Sequence, residues 1–215
     1  MEDEVPEKPL EAKVMFMPNQ MAPEETQTKF GITYICNEGS DDSYETFKLE
    51  ILSELLFQGP NSPFYKKIIQ TGIAPSFAPG TGYNSSFKQG TFTVGVQGIK
   101  QDDVPKVEEV IQEVLQEAYK TGFEEKLFET VLHKIELQTK MTKTNTGIMY
   151  FQAMVPYCLH GGDPLDVFKI NELSERIRAD FKQGNLFESL IEKYFLNNNH
   201  MLKLQHIPDK TEAEK

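Results

Sequence analysis

Apolar residues recur along this chain with two different periods. In KFGITYIC, Phe30, Ile32, Tyr34 and Cys36 alternate with Lys29, Gly31 and Thr33, the period of a half-buried strand. Phe92, Val94 and Val96 alternate with Thr91, Thr93 and Gly95 in the same way. Val14 and Phe16 suggest a shorter strand ended by Pro18, and MLKLQHI, residues 201–207, reads as the last one. Elsewhere the period is helical. Phe47, Ile51, Leu52 and Leu55 share one face of a helix that Asp42 or Ser43 can cap and Gly59-Pro60 ends. Ser62 and Pro63 open a second helix, closed by Gly72. The clearest amphipathic pattern is Val107, Val110, Ile111, Val114, Leu115 and Ala118, between Asp102 or Asp103 and Gly122. Another runs from Phe123 through Leu127, Phe128, Val131, Leu132 and Ile135 to about Met141, where the polar run KMTKTNTG breaks it.

The segment IMYFQAMVPYCLH is apolar on nearly every face. That pattern predicts a buried helix, kinked at Pro156, with Met149, Phe151, Met154 and Val155 in the core. Asp163-Pro164 then opens a helix through Phe181, and LFESLIEKYFL forms a shorter one stopped by the asparagines at 197–199. The order of elements predicts an α+β fold with helices layered on a mostly antiparallel sheet. Residues 1–12 read as an acidic, Pro-containing linker, 13–207 as one domain and 208–215 as a polar tail.

With 215 residues, a 39% apolar fraction and fifteen Phe, the chain can bury a full core. Its net charge of −11 argues against a duplex nucleic-acid partner. No segment approaches the ~20 apolar residues of a membrane span. The opening MEDEVPEKPLEAK is acidic, the wrong sign for a transit peptide, so any targeting signal is expected upstream. Cys36 in a strand and Cys158 in an apolar helix read as two small buried residues in a reducing compartment.

Chemistry is sparse. His133-Lys134-Ile135-Glu136 begins an inverted zinc motif, His-x-x-Glu-His, but the position of the second His holds Leu137. His133 is therefore expected to be structural. His160 precedes a turn, and His200 and His206 flank the last strand without a third ligand. No nucleophile elbow occurs, and GTGYNSS precedes a strand rather than a helix, which fails the phosphate-loop context. Neither a catalytic nor a metal residue, nor a cofactor, is assigned to this chain.

The stretch Leu55–Ile99, with GPNSPFYK, GYN and the strand ending VGVQGI, resembles the presequence proteases, a branch of the zinc peptidases that includes pitrilysin and the insulin-degrading enzyme. The likeness continues through LHKIELQ, GDP and LKLQHIPD. It falls on the second α/β domain of those enzymes and not on the first, which holds the zinc. The resemblance implies an α/β roll that forms chamber wall and peptide-holding surface. The implied partners are unfolded or extended peptides and the remaining peptidase domains, and the implied location is the mitochondrial matrix, otherwise the cytoplasm. An acidic surface would suit Arg-rich presequences. A truncated stand-alone paralogue acting as a binding or scaffold protein is the alternative. In the insulin-degrading relatives the region equivalent to Gly80, Thr81, Gly82, Tyr83 and Asn84 offers a sheet edge to substrate. An unpaired edge can satisfy the backbone of an extended peptide. The competing reading is a turn whose glycines only permit positive φ.

Overall fold

A computed structural model describes residues 8–38, 42–140 and 145–211. Much of the expected linker, the centre of the turn after Glu38, most of the polar break before Asn145 and the end of the tail lie outside the described residues. The fold is α+β. Strands β1 (Leu10–Phe16), β2 (Thr28–Glu38), β3 (Ser76–Phe77), β4 (Gly82–Asn84), β5 (Gln89–Ile99) and β6 (Met201–Pro208) form one sheet in the order β1-β6-β2-β5-β3. β4 also pairs with β5, so β3 and β4 are two pieces of one broken outer strand. All pairs are antiparallel except β1 with β6.

The register between β2 and β5 follows from the alternation. Phe30, Ile32 and Tyr34 stand opposite Val96, Val94 and Phe92, and all six are buried. The other face carries Thr33 opposite Thr93, their hydroxyls 2.9 Å apart, with half-exposed Lys29, Gly31 and Gln97 around them. A one-residue slip would exchange these two faces, which fixes the pairing.

Helix α1 (Ser43–Phe57) lies on the apolar face. Asp42 caps it by accepting from the backbone N–H groups of Tyr44 and Glu45, and Leu49, Ile51, Leu52, Leu55 and Leu56 are fully buried. Beside it run α2 (Val104–Thr121), α3 (Glu125–Lys140), α4 (Thr146–His160), α5 (Ile170–Gln183) and α6 (Leu186–Ile191). Gly122, with φ +65°, ends α2. A widened turn at Glu192–Leu196 continues α6 and sends Phe195 between Tyr34 and Phe92, at ring distances of 5.0 and 4.8 Å. Phe128 of α3 stacks on Phe181 of α5 at 4.2 Å. The start of α1 is tied to the last helical turn through Glu45, which takes Lys193 at 3.0 Å, the Tyr194 hydroxyl at 2.9 Å, and Lys48. Burial alone would raise that carboxyl, but these three partners together hold it below the usual range.

Several expectations need correction. Helix α4 has no buried residue: Met149 is 57% and Phe151 66% exposed, and Met154 and Val155 are half-buried. An apolar sequence states that a helix needs covering, but not that the same chain supplies the cover. Cys158 on that helix is exposed, whereas Cys36 is half-buried and burial pushes its thiol up to about 12. The expected helix from Ser62 and Pro63 is present but short: residues 63–69 are helical, and Tyr65–Ile69 is widened by i→i−5 bonding, with Gln70 N–H donating to Tyr65 O at 3.0 Å. Ser62 does not cap it; its hydroxyl donates back to Gly59 O at 2.9 Å. Asp163-Pro164 opens a 3-10 turn (Pro164–Phe168) before α5 and not one continuous helix. Strand β1 starts at Leu10, inside the stretch read as linker, because β6 offers it a parallel partner from Leu202 onward.

Candidate functional site

The segment from Gly80 to Asn84 sits on the outer margin of the sheet. Its geometry starts with a tight turn: Thr81 N–H donates to Ala78 O at 3.2 Å, and the Thr81 hydroxyl lies 2.8 Å from Ala78 O and 3.0 Å from Gly95 O. Gly80 has φ +83° with open space where a Cβ would stand, and Gly82 has φ +113°. Both values favour glycine, so the turn requirement is real at these two positions. At Gly82 an added Cβ would also come within 2.8 Å of Ser53 Oγ on α1.

Tyr83 stands opposite Phe92 and donates its backbone N–H to Ser53 Oγ at 3.0 Å. Its hydroxyl donates to Asn37 Oδ1 at 2.7 Å, and burial raises its pKa. Tyr83 therefore braces β4 against β2 and α1. One edge amide that a substrate would use is already bonded inside the fold. Gly80 and Asn84 remain exposed. The structure thus brings the five residues together at a sheet margin, with the outer amide of Tyr83 covered by α1.

The residues next along the chain were not singled out from the sequence. Ser85 and Ser86 follow β4 into a cavity of ≈ 290 Å³ between α1, α3, α4 and the Pro164 turn. Glu50 of α1, Tyr157 of α4 and Asp166 of the turn also line it. Glu50 is exposed at the cavity wall, and the protein packed around its carboxyl raises its pKa against the Ser85 hydrogen bond. No sequence motif announces this grouping, because its members come from four separate elements.

The residues of the incomplete zinc motif do not fit a metal. His133 is exposed on α3, Leu137 has no ligating atom, and Glu136 is held by Arg178 Nη1 at 2.9 Å. Among the described residues no three His, Cys, Asp or Glu side chains gather at metal-holding distances. Nor is any described helix long and apolar enough to cross a membrane.

A six-stranded sheet carrying helices on its apolar face defines the class as an α+β domain, with an incomplete zinc motif on α3 and no metal-holding group among the described residues. Residues 4–135 match the Peptidase M16 inactive domain family, and the chain belongs to that family. It is 36% identical over 211 residues to the mitochondrial presequence protease of Mus musculus, covering 97% of this chain and 20% of the relative. To the mitochondrial presequence protease of Schizosaccharomyces pombe it is 35% identical over 185 residues, covering 86% of this chain and 18% of that one. The chain thus spans about a fifth of the length of these curated relatives. The inactive peptidase domain of a putative zinc protease from Bordetella parapertussis has the same fold, with a TM-score of 0.67 at 15% identity over 86% of this chain and 92% of that one. So does a peptidase M16 inactive domain from Pseudomonas fluorescens, with a TM-score of 0.64 at 12% identity over 94% of this chain and 44% of that one.

Proposed function

We propose that this chain is a non-catalytic wall and peptide-holding domain of a multi-domain zinc peptidase of the presequence-protease kind, working in the mitochondrial matrix. The observation that carries this reading is α4. Ile148, Phe151, Val155 and Leu159 form a stripe along it; three of them are 59%, 66% and 73% exposed (Ile148, Phe151, Leu159), and Leu165 on the next turn is 59% exposed. A contiguous apolar surface of this kind needs a cover, and the curated relatives are about five times longer than this chain. We assign that cover to another domain of the same peptidase. The half-exposed face of Thr33, Thr93, Lys29 and Gln97 then becomes chamber wall.

Gly80–Asn84 is the proposed place where an extended substrate backbone meets this wall, in a narrower form than the sequence suggests. With the amides of Thr81 and Tyr83 engaged internally, the contact runs through exposed Gly80 and Asn84. Remote contacts of this kind position a substrate without touching the reacting bond.

The test is co-expression of this chain with the metal-bearing part of a presequence protease that lacks this domain. Association and restored peptide cleavage are expected, with both lost in an Ile148→Asp, Phe151→Asp double variant. A chain that stays alone, or a double variant that associates normally, would overturn the reading.

A further inference from the structure

The large apolar side chains left exposed gather in two places. One is α4 with the turn after it, whose cover is assigned above. The other is β1 and the loop that follows, where Leu10, Val14, Met15, Met17 and Met21 are exposed. β1 ends the sheet: β6 pairs with it on one side, and among the described residues no strand pairs with it on the other. Every second residue of β1 therefore turns its backbone N–H and C=O outward. The opposite margin is closed by comparison, since Tyr83 N–H there is already bonded to Ser53 Oγ. The helix layer also thins toward β1. β6 is half-buried along its whole length, and α2 reaches it through Glu108, 2.7 Å from Lys203 Nζ. That leaves the edge of β1 accessible to another strand.

The residues of β1 state which strand fits. They alternate between an apolar row, Leu10, Ala12, Val14 and Phe16, and a row of Glu11, Lys13 and Met15. The ladder fixes both rows, with Leu10 and Ala12 beside Leu202 and Leu204, and Glu11 beside Lys203. Set antiparallel to a copy of itself, with Ala12 opposite Ala12, this strand is self-complementary. Leu10 then faces Val14 of the second copy and Glu11 faces its Lys13, each pair occurring twice by symmetry. A shift by two residues would set Glu11 opposite Glu11 or Lys13 opposite Lys13. A shift by one would set the apolar row against the charged row. Charge and pattern therefore select a single register. Both charges are available for it. Lys13 is exposed and has no ion-pair partner among the described residues, and Glu11 is 72% exposed, 3.5 Å from a Lys203 that Glu108 holds more closely.

We propose that β1 pairs with the β1 of a second copy of this chain, antiparallel and centred on Ala12, so that the two sheets become one continuous sheet. The ladder spans Leu10 to Val14 in each copy, with Pro9, which has no N–H to donate, at its margin. The two-fold axis runs through the sheet, which puts the helices of both copies on one side and their Thr33 and Thr93 on the other. A seam this short buries little area, so the dimer belongs to the weak, concentration-dependent class. The inference goes beyond the wall-domain reading, because it uses neither α4 nor Gly80–Asn84.

Sedimentation velocity on the full chain, over about 1–200 μM, should show a reversible monomer–dimer equilibrium. Lys13→Glu and Glu11→Lys, each alone, set like charges opposite one another and should weaken the dimer about tenfold or more. The double variant Glu11→Lys, Lys13→Glu reverses both charges, keeps the match and should dimerise as the wild type does. An equal mixture of the two single variants should also dimerise, one copy of each, although neither does so alone. Circular dichroism checks that the single variants are folded, and rescue on mixing is a result that misfolding would not give. The Ile148→Asp, Phe151→Asp variant should dimerise normally, which separates this edge from the stripe on α4. A chain that stays monomeric over the whole range would overturn the proposal. So would a dimer indifferent to the single charge changes, a dimer lost in the α4 variant, or failure of the double variant or the mixture to restore it. Association in the co-expression test without any dimer would remove this inference and leave the domain reading standing.

Discussion

Two residues show how backbone and solvation constraints act at single positions. Gly82 is fixed twice over, by φ +113° and by the 2.8 Å approach of Ser53 Oγ to the place of a Cβ. Gly82→Ala should lower stability by about 1–3 kcal/mol, measured by urea unfolding. Adding Ser53→Ala should recover part of that loss by removing the contact, but not the part due to φ. Full recovery would show that backbone strain plays no part. Glu50 provides a pH signature. Its folded pKa of about 7 lies above the ordinary 4.5, so between those values the folded chain holds a proton that the unfolded chain has released. The contribution of Glu50 to stability then falls as pH rises from about 4.5 to about 7. Glu50→Gln should flatten that part of the profile of unfolding midpoint against pH; an unchanged slope would show that the group stays fully hydrated. Gly80 and Gly82 are legible in the sequence as turn residues, but the Ser53 bond to Tyr83 is not, since thirty positions separate the partners.

At the scale of elements, α1 and α4 make the useful contrast. Both are rich in large apolar residues, and the residue pattern predicts burial for both. α1 is covered by the sheet and its neighbours, with Leu52 and Leu55 fully buried. α4 leans on the Pro164 turn and the pins at Tyr150, and leaves its stripe to solvent. Truncation should separate them. Leu52→Ala is expected to cost about 2–5 kcal/mol in the isolated chain, whereas Phe151→Ala should stay within about 1 kcal/mol, because the ring loses little buried area. Chemical denaturation of the two variants side by side decides it, and a large loss in Phe151→Ala would mean that the isolated chain already covers this helix. The same contrast explains the helices that came out differently. Caps and prolines mark where a helix can start, as Asp163 and Pro164 do. They do not say how far it runs before packing bends it into a 3-10 or widened turn.

For the whole molecule, the incomplete motif at His133 carries a direct consequence. With Leu137 in the ligand position and Glu136 on Arg178, the purified chain should take up no stoichiometric zinc and cleave no peptide alone. Elemental analysis and a peptide-cleavage assay check this; one tightly bound zinc per chain, lost in His133→Ala, would overturn it. The alternating strands, the capped amphipathic helices and the missing ligand are written in the sequence itself, because each depends on neighbours within a few residues. Periods of two and of three to four residues are set by local geometry, and so are caps, turn glycines and an absent side chain. The α+β class follows from their order. What the tertiary structure alone decided is which faces end up covered and which distant groups meet. It left α4 outside the core, turned Ser53 onto the edge at Tyr83, set Arg178 on Glu136, and gathered Glu50, Ser85, Tyr157 and Asp166 around one cleft. Those outcomes depend on contacts across tens of residues of chain, and packing of whole elements sets them where no local period can.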